Sequence, residues 1–239
     1  MNTKIPDTGE RILLDKETPL MIARHLSAYK FAKNYVYDKA MLDIGCGEGY
    51  GSYYLAGPAK EVMAIDYDRV VIDYAKQKYQ KDNLRFCAMD VKNLDSLSNK
   101  FEIICAFQSI EHINDTAALL TNIKNLLTDD GIFICSTPNI KDASPGSAVP
   151  FSKFHVKEYL MDEFKGLLEA YFKKVNMFGL KRGSLLNFYR RLKKTGIFNF
   201  LPASINPVRR FYEQIDCGNF IIVKDNLDTA LDLIAVCRR

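Results

Sequence analysis

The chain has no tryptophan, only three histidines and no C-x-x-C pair among its six cysteines. The cysteines (46, 87, 105, 135, 217 and 237) also lack metal-ligand spacing, which argues against a zinc ribbon or a disulfide framework. Four of them (87, 105, 135 and 237) fall inside apolar, strand-like runs and are expected to be buried, reduced thiols; no metal ligands are expected. No apolar run approaches the roughly 20 residues of a membrane span, and residues 1–10 lack the apolar core of a secretory signal, so a cytoplasmic location is expected. Neither sign of charge is in large excess, with 33 Lys and Arg against 29 Asp and Glu. Acidic residues are missing altogether from Lys181 to Arg210, where eight basic ones are found. That segment is the basic part of the protein.

What is present is an ordinary globular balance, 48% apolar and 26% charged over 239 residues. Short apolar runs at 40–44, 61–65, 84–87, 103–107 and 132–136 alternate with amphipathic stretches at 50–55, 69–79 and 116–127. A further helix is expected over 156–171, then strands at 175–178 and 231–237. Near-continuous apolar strands separated by helices predict a parallel sheet covered on both faces. An added N-terminal helix at 19–33 and the segment 181–227 lie outside the alternation.

The most informative stretch is MLDIGCGEGYGSYYLA, Met41 to Ala56, with four glycines between Gly45 and Gly51. Glycines at a strand-to-helix turn let the backbone approach a ligand closely. A phosphate-binding loop would end in Lys-Ser/Thr, which is missing. A dinucleotide loop wants a small third residue in G-x-G-x-x-G/A, where this chain has Tyr50. The pattern that fits is G-x-G-x-G with Asp43 two residues before Gly45. An acid so close repels a pyrophosphate but suits an ammonium group, as in S-adenosylmethionine. Asp66, at the end of the second strand, is placed to accept both ribose hydroxyls, and Asp90, ending the third, to meet an adenine amino group.

The LDIGCGEG loop, Asp66, Asp90, the SIEHI segment and the STPN turn together resemble the class I S-adenosylmethionine-dependent methyltransferases, over most of the chain. The flanks TGER (Thr8–Arg11), FHVKEY (Phe154–Tyr159) and LDLIAVCRR are similar to members associated with bacterial glycan biosynthesis. The resemblance implies an α/β, Rossmann-like, doubly wound sheet of seven mostly parallel strands, the last antiparallel between the fifth and sixth. It implies one domain, 1–239: a cap (1–37), a cofactor-binding core (38–180), a basic insertion or lid (181–227) and the last strand (228–239). It further implies that Asp43 and the loop of Gly45, Cys46, Gly47 and Gly49 hold the methionine end. Asp66, with Tyr67 beside it, would take the ribose, Asp90 and Val91 the adenine, and Gln108 would line the path to the sulfonium.

Methyl transfer is an in-line displacement, and an alcohol acceptor must also lose a proton to a base. His112 and His155 follow the fourth and fifth strands, at the carboxyl edge where such sheets bind ligands, and are the catalytic candidates. His25 sits on the cap helix. Glu111 is expected to cap a helix, and Tyr29, Tyr35 and Tyr37 are read as packing residues. The expected activity is O-methylation of a small molecule or a sugar or glycan precursor, with N- or C-methylation and a non-catalytic binding module as alternatives. The Tyr50 position disfavours an NAD-dependent oxidoreductase. Nucleic acid is not an expected substrate, because QSIEHI stands where an Asn/Asp-Pro-Pro-Tyr motif would. In LLNFYRRLKK, Leu185, Phe188, Tyr189 and Leu192 are expected to face inward opposite the charges. The segment would serve as a solvated lid, attract an anionic acceptor or touch an anionic membrane.

Overall fold

A computed structural model describes residues 11–239; Thr8, Gly9 and Glu10 of the TGER motif lie outside it. The strands are β1 (Ala40–Ile44), β2 (Glu61–Asp66), β3 (Leu84–Ala88), β4 (Phe101–Phe107), β5 (Leu127–Pro138), β6 (Lys174–Arg182), β7 (Phe220–Val223) and β8 (Asp232–Arg238). They form one sheet in the order β3-β2-β1-β4-β5-β8-β6-β7. The first five pair in parallel, and β8 runs antiparallel between β5 and β6, the arrangement expected of the last strand. The sheet has eight strands rather than seven. The extra one, β7, pairs antiparallel with β6 at the edge and comes from the aromatic and β-branched Phe220–Val223 run inside the segment expected to be an insertion or lid.

The helices are α1 (Pro19–Ala32), α2 (Tyr50–Leu55), α3 (Arg69–Lys78), α4 (Thr116–Leu126), the single turn α5 (Ile140–Ala143), α6 (Met161–Glu169), α7 (Ser184–Thr195) and α8 (Pro207–Glu213). Their starts follow capping chemistry: the side chains of Thr18, Asp68, Asp115 and Asn206 accept the first free N–H groups of α1, α3, α4 and α8. The helix expected from residue 156 begins only at Met161. Upstream, the N–H groups of Val156 and Lys157 donate to the Glu111 carbonyl, and that of Ile140 to the Tyr159 carbonyl, so this stretch is committed to tertiary bonds.

Alternation along the strands fills a core on each face. Leu42 and Ile44 of β1 join one cluster, with Phe133 and Phe164, and Met41 joins the other, with Val62 and Ile103. All six cysteines are free thiols. Cys105, Cys135 and Cys237 are buried as expected, whereas Cys87 is only half-buried and Cys46 is buried behind the glycine loop. Among the described residues, no helix is long and apolar enough to cross a membrane.

On α7, Leu186 points inward and Leu185 and Phe188 are exposed, contrary to the expected inner face. Tyr189 stacks on Phe211 of α8 at 4.0 Å, so the packed side runs through 186 and 189, about one helical turn apart, and leaves 185 and 188 outside.

The α1 helix lies over the mouth of the sheet. Arg24 donates to both carboxylate oxygens of Asp232 (2.9 and 2.6 Å) and to the Leu231 carbonyl, tying α1 to the start of β8. Tyr29 packs edge-on against Phe107 at 4.8 Å. The fourth glycine of the loop serves this contact: a Cβ on Gly51 would stand 2.2 Å from the Tyr29 ring. Gly51→Ala is therefore expected to destabilise the protein by about 1–3 kcal/mol, as overpacking does. The loss should shrink when Tyr29 is also replaced by Ala, a double-mutant cycle readable by denaturant unfolding. Equal losses in both backgrounds would contradict the contact.

Candidate active site

The strand order reverses between β1 and β4, and the crevice at the carboxyl ends of these strands is where an open α/β sheet places a ligand. A cavity of about 920 Å³ opens there, reaching from Arg11 and Asp66 at one end to His112 and His155 at the other.

The glycine loop forms one wall. The N–H groups of Gly45 and Cys46 both donate to the Ile65 carbonyl (2.8 and 2.9 Å), folding the chain back over the end of β2. Gly47 has φ +53°, and a Cβ there would meet nothing within 4 Å, standing in open space on a residue that lines the cavity. Gly45, at φ +72°, has no room for a side chain because Ser109 Oγ would lie 2.4 Å from it.

Asp43 is fully buried beneath this loop and does not line the cavity. Ser52 Oγ donates to its Oδ2 at 2.6 Å, and the Tyr29 hydroxyl donates to the same carboxylate. Its Oδ1 has no hydrogen-bond partner. Burial pushes the carboxyl up to about 7, against the pull of the two hydroxyls. A buried carboxyl beneath the loop, with an oxygen that no protein group satisfies, favours a cationic ligand group above it over a pyrophosphate. Tyr29, expected to be mere packing, is thus part of the wall and of the Asp43 network.

Asp66 bridges two turns: Oδ2 accepts the Gly47 N–H and Oδ1 the Asp68 N–H, both at 3.0 Å. Burial pushes its pKa up, opposed by these N–H donors and by the Arg11 charge. Arg11, the last residue of TGER, donates to Asp68 at 2.7 Å and to the Tyr67 hydroxyl at 3.3 Å. Two further carboxylate lone pairs on Asp66 suit the vicinal hydroxyls of a ribose. Asp90 and Val91 line the adjoining wall, with Asp90 accepting the Lys92 N–H at 2.9 Å. Gln108 lines the floor at φ +50°, an uncommon backbone for a non-glycine residue, held by its N–H on the Ser136 carbonyl and its amide on Ser136 Oγ. Of the residues expected at the cofactor, all but Asp43 and Gly49 line the cavity.

The far end gathers the histidines. His112 Nδ1 lies 2.9 Å from the Phe154 carbonyl, and His155 Nδ1 lies 2.7 Å from Glu158 Oε1. The two rings meet edge to face, 5.0 Å apart. Glu111 is not the helix cap that its position suggests; residues 110–112 form a tight 3₁₀ turn that directs its side chain to the cavity. It is 1% exposed and accepts from Thr137 Oγ1 at 3.1 Å, and burial pushes its carboxyl up to about 8. His25 also lines the cavity, and burial lowers its pKa to about 4, so it is neutral at pH 7. None of the residues 181–210 lines the cavity.

Comparison with known proteins identifies the family and the fold. A methyltransferase-domain family profile matches residues 37–177, more than half of the chain. A "probable S-adenosylmethionine-dependent methyltransferase" of Mycobacterium tuberculosis is 32% identical over 75% of this chain; the match spans 65% of that relative's length. A ubiquinone biosynthesis O-methyltransferase of Glaesserella parasuis is 32% identical over 44% of this chain and 48% of its own. The solved structure of an S-adenosylmethionine-dependent methyltransferase from Thermotoga maritima superposes with a TM-score of 0.63, covering 91% of this chain and 89% of that one at 11% identity.

The Asp43 carboxyl gives a pH test. Its pKa in the ligand-free protein is about 7, and a neighbouring ammonium favours the carboxylate, so binding below pH 7 must release a proton. Affinity for S-adenosylhomocysteine, measured by calorimetry, is expected to fall towards about tenfold per pH unit below 7. Asp43→Asn should flatten this dependence; an unchanged slope would contradict the assignment.

Proposed function

The chain belongs to the methyltransferase-domain family, and from that premise we propose that it is an S-adenosylmethionine-dependent O-methyltransferase acting on a small hydroxylated molecule or a glycan precursor. The observation that carries the oxygen acceptor is the pair of imidazoles at the end of the cavity away from Asp66. S-adenosylmethionine supplies an electrophilic methyl group on a positive sulfur. Asp66 and Asp90 would hold its nucleoside, the glycine loop its methionine portion, and Gln108, which lines the same cavity, would flank the sulfonium. The acceptor's oxygen forms the new bond to carbon while its proton leaves to a base. His155 suits the role of that base, because its Nδ1–H donates to the buried Glu158 carboxylate, which leaves Nε2 with a lone pair for the acceptor hydroxyl. The O-methyltransferase of ubiquinone biosynthesis among the relatives supports an oxygen acceptor; the sugar rests on the resemblance of the flanking sequence motifs alone.

The test is labelled methyl transfer from the cofactor to a panel of sugars, nucleotide sugars, lipid-linked glycans and phenols. Methylation of a hydroxyl is expected, and His155→Gln should lower turnover by about 10²–10⁴ with cofactor affinity unchanged. Transfer to an amine or carbon alone would contradict the reading.

The basic segment supports a second element. Phe188, Ile197 and Phe200 are exposed beside Arg190, Arg191, Lys193 and Lys194, an apolar and cationic surface away from the cavity. We propose that it rests on an anionic lipid surface, which brings the cavity to a membrane-associated acceptor. Replacing the four cations with Gln should abolish sedimentation with phosphatidylglycerol vesicles at low salt. Equal sedimentation of both proteins would contradict this role.

A further inference from the structure

We infer that His25 is a specificity-determining residue that binds the acceptor through a second hydroxyl group, next to the one that is methylated. This role rests on the O-methyltransferase reading, in which His155 takes the proton of the methylated hydroxyl. Met21, Arg24, His25 and Tyr29, at helical spacing, form the face of α1 that lines the cavity. Two of the four fix the helix in place. Arg24 is bound to Asp232 and to the Leu231 carbonyl at the start of β8, and the Tyr29 hydroxyl is bound to Asp43 of β1. In the sheet, β4 and β5 lie between β1 and β8. His25 is therefore held over the ends of β4 and β5, where Gln108 and Pro138 line the same cavity and whose following loops carry His112 and His155.

The His25 ring is uncommitted. His112 and His155 each set Nδ1 on a protein oxygen, at 2.9 and 2.7 Å, whereas His25 makes no hydrogen bond to any described residue. A half-buried polar ring without a partner costs stability unless a ligand supplies the bond. Its neighbours do not supply it. Ser27 Oγ donates to the Ala23 carbonyl at 2.7 Å, and both oxygens of Asp232 are taken by Arg24.

The charge state selects the partner. Burial lowers the His25 pKa to about 4, with Asp232 opposing the shift and Arg24 adding to it. The ring is neutral at pH 7 and presents one N–H donor and one lone pair. A hydroxyl both donates and accepts, so it matches. A carboxylate or phosphate only accepts, and it gains no cation from α1, because the Arg24 guanidinium is already balanced by Asp232. The arrangement fits an uncharged diol, one hydroxyl at His155, where its proton leaves, and the neighbouring one at His25. An acceptor with a single hydroxyl leaves His25 unpaired and binds more weakly.

The probes are catechol, a minimal uncharged vicinal diol, and phenol, its single-hydroxyl counterpart. Each is added to the full-length protein saturated with S-adenosylhomocysteine. The chain has only three histidines, so the ring resonances can be resolved by NMR, and His25 is assigned by its loss in His25→Phe. Catechol is expected to shift the His25 resonances to saturation in the wild-type protein, a result that needs no variant to fold. In His25→Phe, catechol should bind roughly tenfold more weakly and phenol equally well. His25→Asn, which restores a donor and an acceptor, should recover part of the loss. S-adenosylhomocysteine affinity should be unchanged in both variants and reports that they are folded. Catechol that leaves the His25 resonances unmoved would overturn the proposal, as would a preference for catechol over phenol that survives in folded His25→Phe. Catechol binding that depends on His25, in a protein that methylates no hydroxyl, would uphold the site and overturn only the O-methyl reading.

Discussion

The carboxylate of Asp66 is the constraint on which the cofactor end depends. Its two oxygens take N–H groups from turns that follow different strands, Gly47 after β1 and Asp68 after β2. They thereby lock the glycine loop to the neighbouring strand's end. The carboxylate is almost buried, which opposes its charge, and Arg11 arrives from the N-terminal segment to offset that opposition. The same segment is fastened a second time, where the Leu14 N–H donates to Glu48, a buried carboxylate that also accepts from the Tyr79 hydroxyl. The cofactor end is thus a set of carboxylates held by backbone N–H groups, hydroxyls, the Arg11 guanidinium and the Lys78 ammonium, which pairs with Glu48, not a phosphate cradle.

The acceptor end rests on backbone bonds instead. The 3₁₀ turn after β4 presents Glu111 and His112 together, and the Glu111 carbonyl anchors the loop that carries His155 and Glu158. Across the mouth, the paired Arg24 and Asp232 hold α1 against β8. Tyr29, Arg24 and His25 of α1 line the cavity through that contact. Both ends are therefore assembled from segments far apart in sequence, brought together by the strand order.

How much of this was legible in the sequence depended on the range of the interaction. The bounds of β1 and α2 follow from composition alone, because a run of buried residues and a glycine turn are local signals. Asp43, Asp66 and Asp90 could be placed because each ends or nears the end of a strand. Glu111 could not, because its direction depends on a 3₁₀ turn rather than the α-helix that its neighbours suggested. The late start of α6 and the Gly51–Tyr29 contact were hidden for the same reason: each is decided by a partner more than 20 residues away. The edge strand β7 was masked by the basic run before it, which drew attention to charge when the β-branched Ile221, Ile222 and Val223 carried the structure.

The most direct test of the central claim is a crystal structure of the protein with S-adenosylhomocysteine. The account predicts the ribose hydroxyls on Asp66, the adenine beside Asp90 and Val91, and the amino group over the glycine loop, with the sulfur directed along Gln108 towards His112 and His155. A ligand bound elsewhere, or one in this cavity with its ribose turned away from Asp66, would contradict it.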